Sequence, residues 1–292
     1  MRARVNAPSG DRGAEDKNLE TQVPLAKLGI IGGGVMGEAL LSRLIEQNIY
    51  GSSEIWVSDP QPQRRDFLAS EYGINTTADN QAVLAADVLL LAIKPQAFDA
   101  VAAALHISPG QSAANQLVLS ILAGMPLVRL ESAFPGQPVV RAMPNTPATI
   151  GAGMTAIAPG QHAQASHLQI AQQIFAAVGE VVEVPETQLD AVTGLSGSGP
   201  GYVAVMIEAL IDGGVAAGLP RAIATQLAIQ TVRGTAELLQ TSGMHPAELK
   251  DRVTSPGGTT IAGIAHLERS GFRSALIEAV KAAYRRAQEL GK

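Results

Sequence analysis

The chain has 292 residues, 46% of them hydrophobic and 16% charged, with a formal net charge of −5. This is a globular composition, long enough for two cored domains, and its acidic balance argues against nucleic acid as the main partner. There is no cysteine, which excludes disulfides, thiolate catalysis and thiolate metal sites.

Residues 1–25 are polar and unpatterned, without the apolar core of a signal peptide, and read as a disordered extension. Then comes Lys27-Leu28-Gly29-Ile30-Ile31-Gly32-Gly33-Gly34-Val35-Met36-Gly37. An apolar run predicts a buried parallel strand, and a helix is predicted from Val35 to Gln47. Gly32, Gly34 and Gly37 stand between them at GxGxxG spacing. Gly32 permits the tight turn, Gly34 lets backbone approach a pyrophosphate, and Gly37 lets the helix pack closely. Helix N-terminal amides would then hold the pyrophosphate.

A second strand, Ile55-Trp56-Val57, ends at Ser58 and Asp59. An acid there takes ribose hydroxyls and favours NAD. Ser58, Arg64 and Arg65 suit a 2′-phosphate instead, since guanidinium forks match phosphate oxygens, and an equal alternative for the two arginines is a solvated helix face. A helix is expected over Asp66–Tyr72. Asn75-Thr76-Thr77 matches a glycosylation acceptor but reads as a turn. Val88 to Ile93 is apolar throughout, as in a strand buried on both faces. Ala92, Ile93, Lys94 and Pro95 then lie at the carboxyl edge of the sheet, where α/β folds bind ligands. Leu117 to Leu122 is a further strand, followed by Ala123-Gly124, small enough for a flat ring to approach. Val139 to Pro147 reads as a strand running into a loop stiffened by two prolines. Asn145 either bonds its own backbone there or walls the reacting ring. Met154–Ala158 and Val181–Val184 are the last strands, with a helix over His162–Val178 between them. The alternation predicts a doubly wound α/β sheet.

From Pro185 onward only helical patterns remain. Thr193 to Pro200 reads as a flexible polar loop, with Ser198 capping the next helix and Pro200 in its first turn. Tyr202 to Ala217 is apolar on nearly every face and predicts burial in a subunit interface. Helices follow over Arg221–Leu239 and Ser274–Leu290. Between them lies Ser255-Pro256-Gly257-Gly258-Thr259-Thr260. Its break, hydroxyls and helix start make a second anion site, suited to a small carboxylate. His266, two turns on, reads as packing or support. The five histidines show no metal-ligand spacing. No segment approaches the ~20 apolar residues that span a bilayer. A cytoplasmic protein with no membrane partner is expected.

The stretches Gly32–Gly37, Ala92–Gln96, Ser120–Gly124, Val140–Ala148, Gly194–Pro200 and Ser255–Leu267 together resemble the pyrroline-5-carboxylate reductase family, in its order and over residues 26–290. The resemblance implies a Rossmann-like dinucleotide-binding domain (26–184) followed by an all-α dimerisation and substrate domain (185–292). It implies homodimers that assemble further, commonly into decamers. It also implies reduction of 1-pyrroline-5-carboxylate to L-proline by NADPH, with NADH often accepted. Coenzyme contacts fall to Ile31, Gly32, Gly34, Val35, Met36, Gly37, Ser58, Asp59, Ala92, Ile93, Lys94, Pro95, Ala123 and Asn145. Ser255, Gly258, Thr259 and Thr260 would surround the substrate, and Thr260 is the candidate for bonding its ring nitrogen. Arg252 stands where some members carry asparagine. Two rivals remain open: another imine reductase or deazaflavin:NADP oxidoreductase on the same scaffold, and a dinucleotide-binding sensor without catalysis.

Overall fold

A computed structural model describes residues 27–107 and 116–291, and the expected N-terminal extension lies outside them. One eight-stranded sheet organises the first half: β1 (Leu28–Ile31), β2 (Ile55–Ser58), β3 (Asn75–Thr77), β4 (Val88–Leu91), β5 (Leu117–Ser120), β6 (Val139–Met143), β7 (Gly153–Pro159) and β8 (Gly179–Glu183). The spatial order is β3-β2-β1-β4-β5-β6-β7-β8. The first six strands are parallel, β7 runs antiparallel to β6, and β8 is parallel to β7. The order reverses at β1, so a crevice opens outside the carboxyl ends of β1 and β4.

Helices cover both faces: α1 (Val35–Glu46), α2 (Pro62–Tyr72), α3 (Phe98–Ala104), α4 (Leu127–Ala133) and α5 (Ala165–Ala176). Strand periodicity divides the core. Leu28, Ile30, Leu90 and Leu119 pack with Leu40, Leu44 and Phe175, whereas Ile31, Leu89, Leu91 and Val118 pack with Phe98, Leu130 and Phe134. Double-sided burial explains why β1, β4 and β5 read as unbroken apolar runs. Each large side chain so buried contributes about 1.5–3 kcal/mol.

The second half holds α6 (Leu189–Val192), α7 (Gly199–Ala216), α8 (Arg221–Ser242), α9 (Pro246–Arg252), α10 (Thr259–Arg269) and α11 (Phe272–Leu290). Three expectations change. Asn75–Thr77 is an edge strand, not a turn, because it pairs in parallel register with Trp56–Ser58. Thr193–Gly197 is an ordered π-helical turn between α6 and α7, not a flexible loop. Gly194 lets that turn lie against α11; a Cβ there would stand 2.8 Å from the Val280 carbonyl oxygen. Ser198 makes no side-chain cap bond, while Pro200 does occupy the first turn of α7.

Candidate active site

The glycine turn takes its shape from three separate constraints. Gly32 has φ +102°, and a Cβ there would stand 2.7 Å from the Ala92 carbonyl oxygen. Its N–H donates to the Ser58 carbonyl at 2.8 Å, tying β1 to the end of β2. Gly37 is pressed onto the Gly32 carbonyl, so it closes the turn upon itself as well as admitting the helix. Gly34 is exposed, precedes α1 without a side-chain cap, and has nothing within 4 Å of where a Cβ would be. The first amides of this 12-residue helix have no side-chain cap, and the space beside Gly34 is open. Uncapped amides, dipole and bare backbone fit a dinucleotide's pyrophosphate.

Ile31, Val35 and Met36 belong to this turn, and Ala92 to Pro95, Ala123 and Asn145 follow the carboxyl ends of β4, β5 and β6 on the same edge of the sheet. Ile31 is buried as the last residue of β1, and Val35 and Met36 open α1, with Val35 69% exposed. Ala92 and Ile93 follow β4; the Ala92 N–H donates to the Ile31 carbonyl at 2.8 Å. Lys94 is exposed and Pro95 starts the next turn. Ala123 is exposed beyond β5. Gly124 is not open to a ring: its φ is +72°, and a Cβ would stand 3.3 Å from Leu290 Cβ, because the end of α11 packs there. Asn145 neither bonds its own backbone nor points free. Its Oδ1 accepts from the Met154 N–H at 2.9 Å and its Nδ2 donates to the Ser196 carbonyl at 3.1 Å. It staples β7 to the π turn beside the crevice.

Ser58 faces inward. It is 1% exposed, and its hydroxyl donates to Asn80 Oδ1 at 2.7 Å. Asp59 is turned onto backbone: Oδ2 accepts from Gly33 N–H at 3.0 Å and Oδ1 from Gln61 N–H at 2.9 Å.

In the helical half, Gly257 at φ +67° turns the chain and Gly258 precedes α10 with no side-chain cap. Ser255 accepts at its carbonyl from Gly258 N–H at 3.1 Å, and its hydroxyl lies where a Gly258 side chain would be. Ser255 and Thr259 are exposed and Thr260 is half-buried. The amides of Thr259 and Thr260 are thus available to an anion, and capping by serine or threonine does not occur. Among the described residues, no hydrogen bond or ion pair joins residues 243–271 to the sheet half. Arg252 is held by Glu248 at 2.8 Å, and His266 is exposed.

Two family models match separate parts of the chain. Residues 27–124 match the NADP oxidoreductase, coenzyme F420-dependent family, and residues 186–290 match the pyrroline-5-carboxylate reductase dimerisation family. The pyrroline-5-carboxylate reductase of Synechocystis sp. is 60% identical over 91% of this chain and 98% of its own length. That of Pisum sativum is 41% identical over 90% and 95%. Among solved structures, the enzyme of Coxiella burnetii is 34% identical, with a TM-score of 0.83 over 91% of this chain and 99% of that one. The Plasmodium falciparum enzyme, solved with NADP bound, is 30% identical, with a TM-score of 0.82 over 92% and 99%. The chain belongs to the pyrroline-5-carboxylate reductase family. It is therefore an NAD(P)H-dependent oxidoreductase that forms homo-oligomers through its helical half.

Within this reductase, several residues that shape the site carried no local signal. Glu38 meets Arg64 and Tyr72 across separations of 26 and 34 residues. Burial raises the Glu38 pKa, but the Arg64 and Tyr72 hydrogen bonds outweigh it and hold the carboxyl below its usual range. Burial, then the Glu38 hydrogen bond, pushes the Tyr72 phenol up to about 12. Arg141 on β6 reaches Glu186 at 3.1 Å and Asp190 at 3.8 Å, joining the sheet to the first residues of the helical half. Only folding brings these groups together.

Proposed function

We propose that this chain reduces 1-pyrroline-5-carboxylate to L-proline, the last step of proline biosynthesis, with NADPH as reductant and NADH as a second coenzyme. Residues 26–184 hold the coenzyme; residues 185–292 dimerise and hold the substrate. The observation that carries the reading is the pair of α-helices that start on an extended glycine without a side-chain cap, at Gly34 and at Gly258.

The α1 amides take the pyrophosphate, and Ile31, Gly32, Val35, Met36 and Gly37 shape that cradle. Asp59 stands at the ribose, with Ser58 behind it fixing the strand end. Ala92, Ile93, Lys94 and Pro95 line the crevice beside β4, and Ala123 leaves room beside β5. Asn145 sets the far wall by holding the π turn. When bound, the reduced nicotinamide supplies the hydride to the C=N carbon. The Thr259 and Thr260 amides, with Ser255 and Gly258 beside them, anchor the substrate carboxylate; orienting two reactants can supply an effective molarity of ~10⁵ M. The Thr260 hydroxyl bonds the ring nitrogen and relays its proton. Hydride attack on a protonated imine develops no new anion, so no oxyanion hole is needed.

Among the described residues, no hydrogen bond or ion pair ties the Ser255–Thr260 corner to its own sheet half, which supports its service to the coenzyme of a second copy. The active unit is then at least the dimer; a decamer of five such dimers and a cytoplasmic location complete the proposal. The test is loss of nicotinamide absorbance with 1-pyrroline-5-carboxylate, run in parallel with NADPH and NADH. Thr260→Ala should lower kcat about tenfold or more while NADPH affinity stays within about twofold, as expected for one lost hydrogen bond to a charged group. An unchanged kcat removes Thr260 from the mechanism.

A further inference from the structure

An acid at the end of the second strand ordinarily accepts ribose hydroxyls and selects against a 2′-phosphate. Here both carboxylate oxygens of Asp59 are already bonded to backbone amides, those of Gly33 and Gln61. Two guanidinium groups flank that acid. Arg65 Nη1 donates to the Asp59 carbonyl at 2.7 Å. Arg64 Nε donates to the Gly33 carbonyl, and its Nη2 to Glu38 Oε2. Arg64 also lies 5.1 Å from the centre of the Phe67 ring, which fixes its plane. A guanidinium has five N–H donors; two of those on Arg64 are engaged among the described residues. Glu38 is held from its other side by the Tyr72 hydroxyl at 2.8 Å. Arg64 and Glu38 are 24% and 26% exposed, so an incoming anion can reach the pair.

We propose that Arg64 is the residue that selects NADPH over NADH, and that Glu38 limits the selection by competing for the same guanidinium. The inference rests on the glycine turn holding a nicotinamide dinucleotide, as set out above. Each Asp59 oxygen accepts one backbone N–H and keeps a further acceptor site for a ribose hydroxyl, so the acid does not by itself decide between the two coenzymes. A phosphate beside it meets Arg64 through a charge-assisted fork. Glu38 holds that fork in place and also places a negative charge beside the phosphate. NADPH is favoured, and NADH is not excluded.

The test is calorimetric binding of NADP⁺ and NAD⁺ to the full-length protein, without substrate. Arg64→Met should weaken NADP⁺ about ten- to a hundredfold, the loss of a hydrogen bond between charged groups, and leave NAD⁺ within about twofold. Arg64→Lys, which keeps the charge but not the fork, should fall between. Glu38→Gln keeps one oxygen to accept from Arg64, turns its amide N–H to the Tyr72 hydroxyl oxygen and has no charge; it should tighten NADP⁺ about two- to fivefold at low salt, with the gain fading as salt is added. Equal weakening of both coenzymes by Arg64→Met and Arg64→Lys would mean that Arg64 only braces the Gly33 turn, and would overturn the proposal. So would no change in either. Weaker NADP⁺ binding by Glu38→Gln would overturn the competition. A wild-type protein that binds neither coenzyme overturns the dinucleotide reading itself.

Discussion

The sheet half and the helical half bury their apolar residues in different ways. In the sheet, strands such as β1, β4 and β5 are buried along their whole length and enclosed by helices of the same chain. In the helical half, α7 is the most apolar of the long helices in sequence, yet it has no buried residue. Val203, Val205 and Leu210 on α7, Ile223, Leu227 and Ile229 on α8, and Ile277 on α11 are all exposed. Exposed apolar side chains in this number mark an interaction face. One half encloses most of its own core. The other is half of a core, finished by a second copy.

The sharpest way to break that comparison is to charge the open face. Val205 is 67% exposed within one chain, so Val205→Asp should leave the monomer folded. In an apolar interface, an unpaired carboxylate costs several kcal/mol, and ~3 kcal/mol corresponds to a factor of about a hundred in association. The expected outcome is a monomer by light scattering. It should bind NADPH with near wild-type affinity and have lost about a hundredfold or more of its turnover, because the Ser255–Thr260 corner no longer meets a coenzyme. Full turnover by a monomer would show that each chain completes its own site.

A smaller effect is expected at the seam between the halves. Arg141 is 7% exposed and faces Glu186 and Asp190, which are 33% and 29% exposed. Glu186 Oε1 also accepts from the Leu127 N–H at 2.6 Å. Arg141→Met leaves two carboxylates together with no cation. Removing one partner of a buried pair costs about 3–5 kcal/mol, and the partial exposure of the acids puts this seam near the lower end. Thermal unfolding followed by circular dichroism should show Tm falling by about 5–10 °C. A change under about 1 °C would mean that the halves are coupled elsewhere, through Asn145 and the packing of α11 on Gly124.

The same asymmetry decided what could be read from sequence. The coenzyme half was legible because its signals are local: apolar runs for strands buried on both faces, glycines at a strand-to-helix turn, and prolines where ladders stop. Even there, Asn75–Thr77 was missed as a strand, since three polar residues on a sheet edge carry no period. Position in sequence puts Ser58 and Asp59 at the end of β2, but not their bonding, which depends on Asn80 and Gln61 and on where Gly33 points. The polar composition of Thr193–Pro200 suggested flexibility. Its order comes from Gly194 fitting under α11 and from the Ser196 carbonyl being held by Asn145, two contacts distant in sequence. The Glu38–Arg64–Tyr72 cluster spans two helices and has no pattern of its own.

Two glycines isolate the contrast at the level of a single methyl group. Gly34 has open space where its Cβ would be; Gly194 has the Val280 carbonyl oxygen at 2.8 Å and the Tyr284 N–H nitrogen at 3.0 Å. Neither has a positive φ, so alanine strains neither backbone intrinsically. Gly34→Ala should therefore cost no more than about 1 kcal/mol of stability, the difference between glycine and alanine before a helix. Its methyl would instead stand where the pyrophosphate approaches, and the NADPH Kd should rise about tenfold. Gly194→Ala should do the reverse: overpacking against α11 costs about 1–3 kcal/mol, with NADPH affinity little changed, because the π turn contributes no coenzyme-binding amide. Paired measurements of Tm and Kd on the two variants separate space kept for a ligand from space closed by packing. If Gly34→Ala binds NADPH as well as the wild type, the pyrophosphate does not lie over that turn, and the first of the two amide cradles has been misassigned.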